Sequence, residues 1–333
     1  MKIVFLRLKP SKFGGAENYL SRLANELENR NIEYEIRYST APKFLSSWLK
    51  AIWYNFEVCI GKKDFYFSLE RIICPDIYRA GDGVHKVFLQ VEKKSKLNPL
   101  HLVYLFIEKR MFKNSKKIIA NSKLIKQQII DTYNIDKNKI EVIYNGIPLK
   151  PLVDFSDIKT EFNIKNEKIL LYVGSGFERK GVKEVIEIAS KLKNYKLFIV
   201  GKEKNIDLYK KTAKDLNVNA IFTGPRSDVD KFYSMADIFI FPTHYEPFSN
   251  VVLEAMNFKC VVFTTTQNGA SEILDKEFIM KNPKDYKIDL IRKLLQDENL
   301  LIKIKEKNHK IAQNFSIEKN VDETLKVISE TIC

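Results

Sequence analysis

The chain is expected to be an α/β protein of two domains, each built on a mostly parallel sheet covered by helices on both faces. Three observations carry that expectation. A strand, a glycine loop, a helical run and a second strand follow one another at the start of the chain, which is how a βαβ unit opens. The same order starts again at ILLYVGS, residues 169–175. The 333 residues are long for one core and comfortable for two.

The elements follow in order. IVFLRL at 3–8 reads as the first strand and KPSKFGGAEN as its loop. Tyr19, Leu20, Leu23, Ala24 and Leu27 then recur at helical spacing. EYEIRYS at 33–39 alternates as a second strand, and further strands are expected near Phe65–Leu69, Lys117–Ala120 and Ile140–Tyr144. The turn-rich NGIPLKPLVDF at 145–155 breaks the series. It sets the expected division: residues 1–150, residues 151–315, and a last helix at 316–333 packing back on the first domain. In the second series, a helix over 181–193 follows the strand at 169, and strands are expected at KLFIVG (196–201), AIFTG (220–224), DIFIFP (237–242) and CVVFTT (260–265). Such short apolar strands suit a parallel sheet buried on both sides. The stretch from 285 to 330 reads as helical.

Composition narrows the class. No run of eighteen apolar residues is present, so no membrane-spanning helix is expected. The opening MKIVFLRLKP is too short and too charged in its apolar run for a signal peptide. Cys59, Cys74, Cys260 and Cys333 are scattered without a CxxC pair, which points to a reduced, cytoplasmic chain without structural zinc. Charge is uneven. Residues 1–150 hold 27 Lys and Arg against 15 Asp and Glu, whereas residues 151–333 hold 29 against 27. The basic half is rich in large aromatics: Phe44, Trp48, Trp53, Tyr54, Phe56, Phe65, Tyr66 and Phe67. Cations beside exposed aromatics suit an anionic membrane surface or acceptor; alternatively the rings fill a core and the lysines only solubilise. No nucleic-acid-binding pattern is evident, so no nucleic acid partner is expected.

The chemistry concentrates in four segments. FPTHYEPFSNVVLEAM at 241–256 places Glu246 and Glu254 eight residues apart around a turn that opens a helix, with Asn250 as a plausible cap. The free N–H groups of a helix start suit phosphate, and carboxylates accept from sugar hydroxyls, so the stretch fits a nucleotide sugar. GSGFERKG at 174–181 follows a strand at its carboxyl end, where open α/β sheets bind ligands. There Arg179 and Lys180 suit a departing diphosphate, or else form a solvated pair closed by Gly181. RAGDGVH at 79–85 sets Asp82 between two glycines, either as a group that orients or deprotonates an acceptor hydroxyl or as an ordinary turn residue; His85 is a weaker alternative. Gly14 and Gly15 permit close backbone approach to phosphate or make a simple tight turn, and GxGxxG is absent. His244, Tyr245 and Arg226 are further candidates for donor contact. His101 and His309 are expected at the surface, and Asp237 at a strand start.

FGGAE (13–17), IIANSK (118–123), VIYNGI (142–147), GSGFERKG (174–181), FTGPRSDVDKFYSMAD (222–237) and EPFSNVVLE (246–254) together resemble the retaining glycosyltransferases of family GT4, including those of bacterial lipopolysaccharide and polysaccharide synthesis. The last segment matches that family's paired-glutamate signature. GSGFERKG and RAGDGVHKVF resemble the lipopolysaccharide core glucosyltransferases in particular. The resemblance implies a GT-B fold, with two Rossmann-like domains whose parallel sheets face a central cleft: an acceptor-side domain first and a donor-binding domain second. It also implies roles. Gly14 and Gly15 would approach the donor diphosphate, and Arg179 and Lys180 would bind it. Glu246 would meet the sugar and its reacting face. Phe248, Ser249, Asn250 and Val251 would form the phosphate- or sugar-binding turn, and Glu254 would hold the ribose. Asp82 would lie on the acceptor side.

The expected reaction is transfer of a hexose, glucose by the subgroup resemblance, from a UDP-sugar to a hydroxyl of an anionic lipopolysaccharide-core or related glycolipid acceptor. The anomeric configuration is retained, and no metal or other cofactor is required. The site is expected in the cytoplasm, peripheral on the inner membrane face. Two rivals remain at this stage: a nucleotide-sugar epimerase or phosphorylase on the same architecture, and a non-catalytic module binding anionic glycans or membranes.

Overall fold

The computed structural model describes residues 2–10, 15–95 and 97–332. They divide into two compact units, Met1–Gly146 with Ile317–Cys333, and Ile147–Ser316. The first unit runs β1 (Ile3–Arg7), α1 (Gly15–Asn29), β2 (Tyr34–Tyr38), α2 (Ser47–Cys59), β3 (Phe65–Ser68), β4 (Ile77–Ala80), α3 (His85–Val91), α4 (Pro99–Asn114), β5 (Lys117–Ala120), α5 (Lys123–Tyr133) and β6 (Ile140–Val142). The second runs α6 (Ser156–Glu161), β7 (Lys168–Val173), α7 (Phe177–Lys180), α8 (Val182–Ala189), β8 (Tyr195–Val200), α9 (Ile206–Asp215), β9 (Ala220–Gly224), α10 (Val229–Met235), β10 (Ile238–Phe241), α11 (Asn250–Asn257), β11 (Val261–Thr265), β12 (Ile279–Met280), α12 (Ile288–Gln296) and α13 (Glu298–Ala312). The chain then returns to the first unit as α14 (Ile317–Ile332).

Each unit holds one six-stranded sheet, in the orders β2-β1-β3-β4-β5-β6 and β12-β11-β10-β7-β8-β9. Every strand pair is parallel. The burial of the strands follows their place. β1 lies inside its sheet and is nearly all buried, whereas the edge strand β2 is half-buried throughout. Helix boundaries follow local chemistry. The Asn98 carboxamide oxygen accepts from the Leu100 N–H at 3.0 Å just before Pro99 opens α4. The Ser122 hydroxyl accepts from the Ile125 N–H at 3.2 Å to start α5, and Asn134 ends it in the left-handed conformation. α14 completes the first core: Val321, Val327 and Ile328 pack with Phe5, Leu20, Leu23 and Leu27. The Asn320 amide donates to the Tyr144 carbonyl at 2.6 Å.

Two strands escape the sequence patterns. β4 is only IYRA, with a charge in its middle. Arg79 is tolerated there because its guanidinium lies 3.6 Å from the Tyr19 ring centroid and donates to Asn145 at 2.7 Å. β12 has two residues and no readable period. The aromatic-rich stretch of the first unit divides between the two readings: Tyr54, Phe65, Tyr66 and Phe67 are core, whereas Phe44, Trp53 and Phe56 are exposed. Trp48 is half-buried.

One expectation about cysteine is corrected. Cys59, at the end of α2, is disulfide-bonded to Cys74, in the loop before β4, so these two thiols are not both free; buried Cys260 is a free thiol. Their 15-residue separation hid a pairing that the turn through β3 creates. Closing a loop of that length restricts the unfolded chain by about 3 kcal/mol. Reduction, or Cys59→Ala with Cys74→Ala, is therefore expected to destabilise the first unit by about that amount. Both tryptophans of the chain, Trp48 and Trp53, lie on α2, the helix that ends at this bond, so their fluorescence in a urea titration reports the transition.

Candidate active site

The second unit brings three of the expected residues together. After β7 the chain passes Gly174, Ser175 and Gly176 into the single turn of α7. Phe177 anchors that turn: its ring is fully buried between Tyr172 and Tyr209, and its N–H donates to Glu203 at 2.8 Å. Arg179 and Lys180 are thereby held on a rigid bend rather than on a solvated loop. Gly181 closes it with φ of +79°, and a Cβ there would stand 2.1 Å from the Pro242 carbonyl oxygen. Only glycine fits this close approach.

The 243–246 segment is laced to that bend. The His244 N–H and the Thr243 hydroxyl both donate to the Arg179 carbonyl, at 2.8 and 3.1 Å. In return, Arg179 Nη1 donates to the Tyr245 carbonyl and to Glu246 Oε2, the latter at 2.9 Å. The same carboxylate oxygen lies 3.9 Å from Lys180 Nζ. Both cations are largely enclosed, with side-chain exposures of 29% and 18%. Burial lowers the Lys180 pKa from its ordinary value, and Arg179 adds to that effect, while Glu246 opposes it. The result is a compact cluster of two cations on one carboxylate, suited to an incoming polyanion.

Glu246 is fixed through its main chain. Its N–H donates to the Gln267 carbonyl and its carbonyl accepts from the Gly269 N–H, both at 3.0 Å. The organiser is Asn268, fully buried, whose Oδ1 accepts from the Ser249 and Ala270 N–H groups at 3.2 and 3.1 Å while its amide donates to the Thr264 hydroxyl at 3.0 Å. Phe248 and Ser249 are buried in this turn. The cap of α11 is Ser249 rather than Asn250, which is the first helical residue; the extended backbone of Ser249, held by Asn268, moves the start one residue back. Asn250 and Val251 thus lie in the first helical turn, whose N–H groups lack intrahelical acceptors. Glu254 sits one turn further in and accepts from the Tyr233 hydroxyl at 3.2 Å.

Other candidates are placed differently. The His244 ring turns to Glu184 at 3.1 Å, a buried carboxylate on α8. Arg226 is taken up by Asp228 and Glu161, with four hydrogen bonds between 2.8 and 3.1 Å, and covers the Phe232 ring. Its guanidinium is satisfied within that network. Asp237 holds a strand start as expected, accepting from the Ile169 N–H at 2.9 Å. His309 is half-buried and its Nδ1 meets the Asn257 carbonyl at 2.6 Å, so it is tied to α11 rather than free at the surface.

In the first unit, Asp82 is exposed on the loop after β4, and Gly83 following it has φ of +73°. Gly15 opens α1, and Gly14 lies outside the described residues. His85 is buried and engages His101 at 3.2 Å, which also corrects the surface placement of His101. Burial lowers the His85 pKa from 6.5 to about 4, with smaller contributions from Arg71 and His101. His85 is thus a neutral imidazole at neutral pH, packed in the first unit beside His101. Between the two values the unfolded chain binds a proton that the folded chain refuses, so this contribution to stability is complete above the unfolded value and drains as pH falls. The loss reaches at most about 3 kcal/mol near pH 4. Thermal melts across that range should show it, and His85→Gln should flatten that part of the profile.

The sequence pattern of the group 1 glycosyl transferases matches residues 154–315, and that of glycosyltransferase family 4 matches residues 77–150. The capsular polysaccharide biosynthesis glycosyltransferase CapM of Staphylococcus aureus is 30% identical over 64% of this chain and 61% of its own length. The match therefore spans less than two thirds of that relative. The lipopolysaccharide core biosynthesis glycosyltransferase LpsE of Rhizobium meliloti is 25% identical over 96% of both chains. Among solved structures, WaaG, a glycosyltransferase involved in lipopolysaccharide biosynthesis, superposes with a TM-score of 0.82 at 20% identity over 98% of this chain and 99% of its own. Anabaena HepE, solved with UDP and glucose, superposes with a TM-score of 0.77 at 18% identity over 99% and 100%. These two likenesses concern the fold.

Proposed function

We propose that this chain, which belongs to the GT4-type glycosyltransferases of GT-B fold, transfers a hexose, with glucose as first choice, from a UDP-sugar to a hydroxyl of an anionic glycolipid. The observation that carries the reading is the Arg179–Lys180–Glu246 cluster on its rigid bend. The donor diphosphate takes over the two cations, and Glu246, released from Arg179, turns to the sugar. As the anomeric bond breaks, negative charge grows on the leaving phosphate, where the cations stabilise it. The acceptor oxygen then attacks the same face of an oxocarbenium-like sugar, its proton passing to the leaving phosphate, so configuration is retained. The first turn of α11 offers amides to phosphate or sugar, and Glu254 holds the ribose diol. Asp82 orients the acceptor hydroxyl.

UDP as the nucleotide is supported by HepE, solved with UDP and glucose, and by a UDP-galactose-dependent relative from Escherichia coli that acts on a diphosphoundecaprenol-linked sugar. A lipid-linked acceptor is supported by that enzyme and by Campylobacter jejuni transferases acting on diphospho-undecaprenol glycans. The excess of Lys and Arg over Asp and Glu in residues 1–150 supports a reading in which the first unit lies on an anionic surface, peripherally on the inner membrane face; among the described residues no helix is long and apolar enough to cross a membrane. Calorimetric titration with UDP-, GDP- and ADP-sugars tests the donor. Selective UDP-glucose binding, weakened in Arg179→Ala, is expected. Binding of another nucleotide would replace the donor assignment; turnover to free sugar without any acceptor product would favour an epimerase, and turnover to a sugar phosphate a phosphorylase.

A further inference from the structure

We propose that a groove between α2 and α4 of the first unit takes an acyl chain of an anionic bilayer phospholipid. The groove has a volume of about 590 Å³, and its walls include Ile52, Phe56, Ile60, Leu102, Phe106 and Ile107. Its polar wall residue, Asn55, is engaged by the protein: its amide donates to the Ala51 and Arg71 carbonyls at 2.8 and 3.2 Å, and its oxygen accepts from the Ile73 N–H at 2.8 Å. The groove therefore offers a guest mainly apolar surface contact, which favours hydrocarbon over a polar chain. The disulfide fixes one wall, since Cys59 lines the groove and is tied to Cys74.

The rim supplies the charge. Along α4 the exposed charged residues are Lys109, Arg110 and Lys113. The one acid of that helix, Glu108, is fully buried and accepts from Arg71, the His85 N–H and Tyr133. Arg110 sits 3.7 Å from the centroid of the Phe106 ring, which sets a cation at the lip of the apolar wall. Phe56, Leu102 and Phe106 are each more than half exposed, and Phe44, Trp53 and Leu97 are further exposed apolar side chains of the same stretch of chain. An apolar trough with a cationic lip matches a molecule that is hydrocarbon at one end and anionic at the other. The assignment rests on the membrane-surface part of the reading above and is independent of the donor.

Both tryptophans of the chain lie on α2, the helix that carries one wall of the groove, so their fluorescence reports on this helix. The full chain is mixed with vesicles of about equal phosphatidylcholine and phosphatidylglycerol, brominated near the middle of their acyl chains, in about 0.15 M salt. The expected result is quenching of about twofold or more with these vesicles and none with brominated phosphatidylcholine alone. The combined Phe56→Ser, Leu102→Ser and Phe106→Ser protein should keep salt-sensitive vesicle binding in flotation and lose most of the quenching. Lys109→Gln, Arg110→Gln and Lys113→Gln together should lower partitioning by about 100-fold. The proposal is overturned if the serine protein is quenched like its parent, if vesicles bind without quenching, or if a lipid-free dimer forms that the serine changes abolish, since a second copy would then cover the groove. UDP binding measured on every protein separates the two readings. UDP binding by the unaltered chain without any quenching sinks only the groove, whereas absence of UDP binding from the unaltered chain sinks the donor reading.

Discussion

Arg179→Ala is expected to lower kcat/KM for sugar transfer by about 1000-fold, with most of the loss in kcat. The reasoning starts from what the guanidinium does before any donor arrives. It bridges the Tyr245 carbonyl and the Glu246 carboxylate, so it both positions the reacting carboxylate and waits where phosphate charge will grow. Removing it leaves Glu246 with Lys180 alone, at 3.9 Å. Lys180 is a poor substitute, because burial already lowers its pKa and it offers a point charge rather than a fork. Arg179→Lys should recover part of the rate, and UDP affinity should fall less than kcat in both variants. A change under about tenfold in Arg179→Ala would remove the cluster from catalysis. Arg226→Ala is the informative contrast. Its partners are Glu161 and Asp228, so it is expected to weaken the fold around α6 and α10 while leaving the transfer rate within a few-fold.

The contrast between these two arginines shows what the sequence makes legible. Both follow strands of the same sheet and both sit in segments that resemble the family. For Arg179 the neighbours are in its own loop and in the 241–256 segment, each readable from glycines, carboxylates and a helix start. For Arg226 one partner, Asp228, is two residues away, but the other, Glu161, lies 65 residues upstream on α6, and no local pattern announces that pairing. The same logic covers the rest. The two parallel sheets are legible because each strand is a short apolar run between turn signals. β4 is not, because its buried guanidinium is held by a ring and an amide from distant segments. The Cys59–Cys74 bond and the His85–His101 pair are likewise contacts made by topology, between side chains whose sequence surroundings read as ordinary. Asn268 is the clearest omission from the candidate site. A polar residue in the TTTQNGAS run reads as loop, yet it is fully buried, and only its three hydrogen bonds reveal its task.

Asn268→Ala is accordingly expected to reduce transfer about 100-fold without touching a charged group of the cluster. Asn268 Oδ1 satisfies the N–H groups of Ser249, at the mouth of α11, and of Ala270, and its amide ties both to β11 through Thr264. The strand-like pairing of Glu246 with Asn268 runs through the same few atoms. Alanine would leave two buried N–H groups in need of partners, at about 1–3 kcal/mol for each that finds none, while the Thr264 hydroxyl keeps its bond to the Phe241 carbonyl. The 246–249 turn would relax to recover them, carrying the Glu246 side chain away from Arg179 and the α11 amides away from the phosphate. Because the reacting groups are intact but displaced, the signature differs from that of Arg179→Ala. KM for the donor should rise together with the fall in kcat, and the melting temperature should drop. Asn268→Asp offers the sharper comparison: the carboxylate can still accept from Ser249 and Ala270, but it cannot donate to Thr264, and it places a negative charge behind Glu246. Its donor affinity should be retained better than that of Asn268→Ala while kcat remains low. If Asn268→Ala melts several degrees lower yet transfers sugar at the parent rate, then the turn is held by Glu246 and Gly269 alone, and Asn268 serves stability without positioning the site.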